Sequence, residues 1–204
     1  MQVKKLTVGP FETNCFLVFM EEDRVLYIID PGDEGDRIAA EARKFDFRTA
    51  EILLTHYHID HIHGAETCAR ELELKQLRLR TPDHPFYLSP ENCLPPYFPE
   101  PLKNPPAPVA YGDDPHYEVL ALPGHTKGGA GLLFGKTLFC GDTLFRRSMG
   151  RTDLPGGDDA EISRSILDVL MKLPDDTLVC CGHGPDTSIG DERRYNPYIN
   201  GVLQ

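Results

Sequence analysis

Between Thr55 and His61 the chain sets out three histidines and an aspartate: Thr55-His56-Tyr57-His58-Ile59-Asp60-His61. The apolar run Ile52-Leu53-Leu54 comes directly before them. Three more residues of the same kind follow short apolar runs, each beside a glycine. They are His125 in Leu122-Pro123-Gly124-His125-Thr126, Asp142 in Cys140-Gly141-Asp142-Thr143, and His183 in Cys181-Gly182-His183-Gly184. Neutral imidazole and carboxylate are good ligands for zinc, iron or manganese. Several histidines in one apolar-flanked loop are costly to bury unless something binds them. The chemistry such a set can do is metal-assisted hydrolysis.

Seven donors suit two ions. The spacing of two between His56 and His58 puts both rings on one side of an extended or turning segment. Asp60 and His61 continue the same loop toward a second ion. One ion is then expected on His56, His58 and His125, the other on Asp60, His61 and His183. Asp142, with two carboxylate oxygens, is suited to bridge them. Metals roughly 3.5–4 Å apart can clamp a bridging hydroxide, lower its pKa and polarise a carbonyl. No serine or cysteine nucleophile is then required.

The elements that must position these residues can be traced along the chain. Val3 to Val8 alternates like a strand. Asn14 to Met20 and Arg24 to Ile29 form a hairpin around Glu21-Glu22-Asp23. Asp30-Pro31-Gly32 stops the third run. Glu34 to Phe45 reads as a helix with Ile38, Ala42 and Phe45 on one face. Ala50 to Thr55 is a short buried strand, and Ala65, Cys68, Ala69 and Leu72 mark a helix after the cluster. Asp83 to Leu88 gives a helical turn. The proline-heavy stretch from Pro90 to Pro108 is expected to be loop, because proline blocks both helix and central strand.

Strands are expected again at Tyr117 to Leu122, Ala130 to Phe134 and Thr137 to Cys140, with Gly135-Lys136 as a two-residue turn. Asp158 to Met171 is a helix capped by Asp158 or Asp159, and Leu178 to Cys181 a further strand. A short helix closes the chain within Asp191 to Leu203. Each half runs strands first and strand–helix units after. That order predicts an α/β (α+β) architecture, two mixed sheets facing each other with helices outside, a four-layer αββα sandwich in one domain over 1–204.

The bulk properties narrow the partners. The 204 residues suffice for one sizeable core, and a hydrophobic content of 40% with 26% charged residues is an ordinary globular composition. No apolar run approaches a membrane span and no signal-like segment opens the chain, so a cytoplasmic location is expected. The net charge of -11 argues against nucleic acid as a partner. Six cysteines without a Cys-x-x-Cys pair read as buried free thiols.

The His-x-His-x-Asp-His cluster with His125, Asp142 and His183 resembles the metallo-β-lactamase superfamily. Gly141-Asp142-Thr143-Leu144-Phe145, Gly150-Arg151-Thr152-Asp153, Leu154-Pro155-Gly156-Gly157-Asp158 and Gly182-His183-Gly184-Pro185 resemble its glyoxalase II-like (hydroxyacylglutathione hydrolase-like) branch. The likeness runs from about Asn14-Cys15 to about Asn196-Pro197. It implies the αββα fold and the ligand assignment above. It also implies hydrolysis of a small acyl thioester of the S-lactoylglutathione type by a metal-bridging hydroxide, with Asp60 and Asp142 as the catalytic carboxylates. Two divalent ions are implied, zinc first, iron or manganese as alternatives.

Two departures stand out: the chain ends about where the C-terminal helical domain of full-length members would begin, and His63 replaces the usual glycine. The resemblance places Arg151 where a basic residue contacts the thiol carrier, while Arg146, Arg147, Arg193 and Arg194 are further basic candidates. Tyr97 and Phe98 are candidates to pack over substrate, or equally to anchor the loop or the core. The resemblance sets Asp30-Pro31-Gly32 beside the metal loop, as a turn that hydrogen-bonds it in preference to a ligand. The competing activity is an iron-dependent persulfide dioxygenase of the same superfamily, which would retain His56, His58, His125 and Asp142. A ribonuclease or phosphodiesterase fits the acidic charge less well. A β-lactamase is disfavoured because Asp142 supplies a bridging carboxylate those enzymes generally lack.

Overall fold

In a computed structural model, which describes residues 1–201, the alternating and apolar runs become strands in two compact units, Met1–Tyr111 and a second from Gly112 onward. The first unit holds β1 (Gln2–Val8), β2 (Thr13–Met20), β3 (Val25–Ile29), α1 (Gly35–Ala42), β4 (Thr49–Leu53), α2 (Ile59–Ile62), α3 (Ala65–Glu71), β5 (Gln76–Arg78), α4 (His84–Tyr87) and β6 (Ala107–Val109). Its six strands form one sheet in the order β1-β2-β3-β4-β5-β6. The first three pair antiparallel, and the rest run parallel to β3. Leu17, Leu26, Ile28, Ile38, Ile52, Leu54, Cys68 and Leu77 are among the residues buried in its core. Each such side chain contributes roughly 1.5–3 kcal/mol on leaving water.

Three expectations are corrected here. The first helix stops at Ala42 instead of running to Phe45. Phe45 N donates to Ala42 O at 3.0 Å in a closing turn, yet Phe45 still packs on the core. The proline-rich stretch is not all loop: Pro90–Asn92 makes a 3-10 turn, and Ala107-Pro108-Val109 forms β6. Pro108 pairs with Leu77 in register, and an outermost strand tolerates a missing N–H. The metal loop itself turns helical as α2.

The second unit holds β7 (Glu118–Ala121), β8 (Ala130–Phe134), β9 (Thr137–Gly141), β10 (Leu144–Phe145), β11 (Ser148–Met149), α5 (Asp159–Arg164), β12 (Leu178–Cys181), β13 (Thr187–Ser188) and α6 (Ile189–Tyr195). Five strands form a sheet in the order β13-β12-β9-β8-β7, and β10 with β11 makes a separate hairpin. β9 pairs parallel with β12, while β8 is antiparallel to both β7 and β9. β7, β9 and β12 therefore all point the same way. Asp158 caps α5, accepting from Glu161 N at 2.7 Å. The helix then continues as a π turn over Ser165–Val169 and a 3-10 turn over Leu170–Lys172. The closing helix is α6, and residues 202–203 of its expected span lie outside the described residues. All six cysteines stand outside disulfides, and five are buried. Among the described residues, no helix is long and apolar enough to cross a membrane.

Candidate metal centre

In the first unit, β3 and β4 are parallel neighbours, so the segments leaving them emerge side by side. Asp30 follows β3 and His56 follows β4. Asp30 is buried and adopts φ 49, a left-handed conformation that aspartate tolerates better than most residues. Its Oδ1 accepts from Thr55 N at 2.7 Å, and its Oδ2 from Thr55 Oγ1 at 2.6 Å. His61 Nδ1 lies 3.0 Å from the same Oδ2. The His56 ring is centred 4.8 Å from His58 and 4.2 Å from His61. His61 Nε2 stands 3.7 Å from Asp60 Oδ2. His56, His58, Asp60 and His61 are thus gathered at one place, from the loop before α2 and from its first turn.

Hydrogen bonding fixes the tautomers. A carboxylate only accepts, so Thr55 Oγ1 donates to Asp30 and in turn accepts from His56 Nδ1 at 3.0 Å. His61 Nδ1 also donates to Asp30. Both rings therefore present the Nε2 lone pair, the form a metal ligand takes. Ligand-capable atoms of Asp30, His56 and His61 lie within 4.8 Å of one another. Both Asp30 oxygens accept short bonds, from Thr55 and His61, an arrangement suited to orienting the histidines.

The second unit gathers its candidate ligands by the same geometric device. β7, β9 and β12 run in one direction, and His125, Asp142 and His183 follow them in that order. Gly182 N donates to Gly141 O at 2.9 Å, which holds the ends of β9 and β12 together. Asp142 Oδ2 lies 3.6 Å from His125 Nε2 and 3.4 Å from His183 Nε2. His125 Nδ1 donates to the Arg151 carbonyl at 2.7 Å, so this ring too offers Nε2. Ligands at ~2.1 Å around a tetrahedral ion stand ~3.4 Å apart. One Asp142 oxygen stands near that ligand-to-ligand spacing from both imidazoles. The residues of both units fit metal ions in type, tautomer and spacing.

Two glycines make these approaches possible. A Cβ on Gly32 would stand 2.0 Å from the Asp60 carbonyl oxygen. One on Gly150 would stand 1.8 Å from the Asp142 carbonyl oxygen and 3.4 Å from His125 Nδ1. Gly150→Ala is accordingly expected to destabilise the fold by about 2–3 kcal/mol through overpacking and to lower metal content. A urea melt with the wild-type midpoint would contradict this.

The remaining candidates separate clearly. Arg151 is exposed, and its guanidinium makes two bonds to Asp153, at 2.7 and 2.8 Å. That pairing holds the Asp153 carboxyl down at about 2. Phe98 is buried against Phe11 and His63, whereas Tyr97 is 61% exposed. His63 Nδ1 lies 3.2 Å from Asp33 Oδ1, a contact around the metal loop. Sequence reasoning missed Asn92, whose Nδ2 donates to Tyr57 O at 2.7 Å and ties the proline-rich segment to that loop. It also missed the Arg151 carbonyl, since a backbone acceptor leaves no residue-type signal.

The family model of the metallo-beta-lactamase superfamily matches residues 8–183, and the chain belongs to that superfamily. It is 33% identical to the hydroxyacylglutathione hydrolase GloC of Haemophilus influenzae, over 98% of this chain and 99% of GloC. Among solved structures, the B3 metallo-β-lactamase BLEG-1 superposes with a TM-score of 0.87 at 29% identity, covering 98% of this chain and 100% of BLEG-1. TTHA1623, solved in a di-iron-bound form, has a TM-score of 0.83 at 35% identity, covering 96% and 99%. The chain thus has the metallo-β-lactamase fold expected from its sequence.

Proposed function

We propose that this chain is a binuclear metal-dependent hydrolase of a small acyl thioester, of the S-lactoylglutathione type. In this proposal His56, His58 and His125 hold one ion, Asp60, His61 and His183 hold the other, and Asp142 is common to both. The observation that carries it is Asp142 Oδ2, at ligand spacing from two imidazoles. The likeness to GloC supports the thioester. When bound, the ion pair supplies an activated water and an electrophile for the carbonyl. The chain's own contribution is orientation: Asp30, Thr55 and the Arg151 carbonyl hold three imidazoles with Nε2 presented. Asp60 and Asp142 are the proposed catalytic carboxylates. The metal is proposed as zinc, with iron as the alternative that TTHA1623 favours and manganese also compatible. The buried free thiols favour a reducing, cytoplasmic setting.

The test is metal analysis of purified protein with a panel of S-lactoylglutathione, a β-lactam, a phosphodiester and a persulfide under oxygen monitoring. The expected outcome is two ions per chain and selective thioester cleavage without oxygen uptake. Oxygen consumption with persulfide at one iron per chain would replace this proposal with the dioxygenase.

A further inference from the structure

Some basic groups of the second unit are neutralised locally, Lys136 by Asp176 among them. Arg151 is bound to Asp153. Arg193 donates to the carbonyls of Met171 and Leu173, at 2.7 and 3.0 Å, and pairs with Asp175. Arg146, Arg147 and Arg194 differ. All three are exposed, and among the described residues no carboxylate forms an ion pair with their guanidinium groups. In a chain of net charge -11 such a cluster is an unusual local field.

The three belong to a built surface. Arg146 and Arg147 are the two-residue turn of the β10–β11 hairpin, where Phe145 pairs with Ser148. Arg147 takes φ 64, so its backbone holds a conformation that glycine or asparagine adopts more readily. Buried Glu192 on α6 pins that turn, accepting from Arg147 N at 2.8 Å, Asn196 Nδ2 at 2.8 Å and Thr187 Oγ1 at 2.6 Å. Asn196 Nδ2 also donates to Ser148 O at 3.0 Å. The Arg147 guanidinium lies 4.5 Å from the centre of the Tyr195 ring, and that of Arg194 lies 6.0 Å from the same ring. Directly beside the turn, the Phe145 ring is centred 6.2 Å from that of His183. Phe145, which precedes Arg146, thus links the cationic turn to His183, one of the proposed ligands.

We propose that Arg146, Arg147 and Arg194, with the Tyr195 ring, bind the anionic end of the thiol carrier and so select thioesters of multiply anionic thiols. This rests on the thioester reading above. Clustered like charges repel one another in the free protein, and carboxylate or phosphate oxygens relieve that repulsion through charge-assisted bonds. Arg151, already held by its own aspartate, is not needed for the selection.

The experiment compares wild type with the triple variant R146Q/R147Q/R194Q. Substrates share one lactoyl group on three thiols: glutathione (carboxylates), coenzyme A (phosphates) and N-acetylcysteamine (neutral). KM for at least one anionic-carrier thioester is expected to rise about ten-fold in the variant with kcat within two-fold, because exposed charged contacts act on binding. The neutral thioester should change less than two-fold, and metal content not at all. The lysine triple variant should retain most of the wild-type preference. An equal change on all three substrates, or none, would overturn the proposal. Binding of S-methylglutathione and of coenzyme A, measured by calorimetry, separates the two claims. If the wild type cleaves no thioester yet binds one of these, and the variant does not, the thioester reading fails and the arginine surface stands. Equal binding by both proteins, or by neither, removes the arginine surface. Binding to an RNA oligonucleotide that is lost in the variant, with thioester kinetics unchanged, would also overturn it.

Discussion

Replacing Asp142 with alanine is expected to lower kcat/KM for the cleaved thioester by about 1,000-fold or more and to reduce the metal content below two ions per chain. The reason is geometric. One oxygen of Asp142 stands 3.4 Å from His183 Nε2 and 3.6 Å from His125 Nε2. In the proposed centre its removal would take a shared anionic ligand from both ions at once, while either histidine would serve a single ion. Asp142 follows β9, whose pairing with β8 and β12 does not involve its side chain, so the variant should keep its secondary structure. Circular dichroism, metal analysis and turnover on the same preparation check the three parts together. Unchanged turnover with a full metal complement would take Asp142 out of the mechanism.

The second large effect is expected at Asp30, which need not touch an ion at all. Asp30→Ala leaves Thr55 N, Thr55 Oγ1 and His61 Nδ1 without their acceptor in a buried site. Orphaned buried donors cost about 3 kcal/mol together with the left-handed strain on alanine. For a chain of this size that corresponds to a Tm lower by roughly 6–12 °C. Metal affinity should fall about 10–100-fold, the usual effect of losing the group that orients a ligating histidine. Asp30→Asn separates the two consequences. Asparagine tolerates the backbone conformation and can still accept from Thr55 N. Its amide nitrogen then faces Thr55 Oγ1 and His61 Nδ1, which favours the His61 tautomer that protonates Nε2. Metal loss should therefore exceed stability loss in Asp30→Asn. Wild-type metal affinity in both variants would contradict the orienting role.

The sequence pattern located the strands that carry ligands, because each ends in an apolar run followed by glycine or a polar break. Ala130–Phe134 and Thr137–Gly141 around Gly135-Lys136 are good examples, since both the period and the turn chemistry are local. What escaped was structure set by neighbours. Gln76–Arg78 is too short for a period to register, and Pro108 argues against a strand unless its edge position is known. The helix expected from Asp158 to Met171 is helical throughout, yet its hydrogen bonding shifts to π and 3-10 steps that hydrophobic spacing does not encode. At the site, donor types were legible and their restraints only partly so. Asp30 could be read as a turn that bonds the metal loop. The carbonyl of Arg151 and the amide of Asn92 could not, because nothing in those residue types points to His125 or Tyr57. Apart from the resemblance that singles out Arg151, the arginines are equivalent as letters. Only the fold distinguishes Arg151 and Arg193, already held, from Arg146, Arg147 and Arg194.

The most direct measurement is a crystal structure of protein loaded with zinc or iron, with the ions located by anomalous scattering. The account predicts two ions, one bound by His125 and the other by His183, with an Asp142 oxygen common to both. A single ion in fully loaded crystals, or Asp142 turned away from one of the pair, would contradict it.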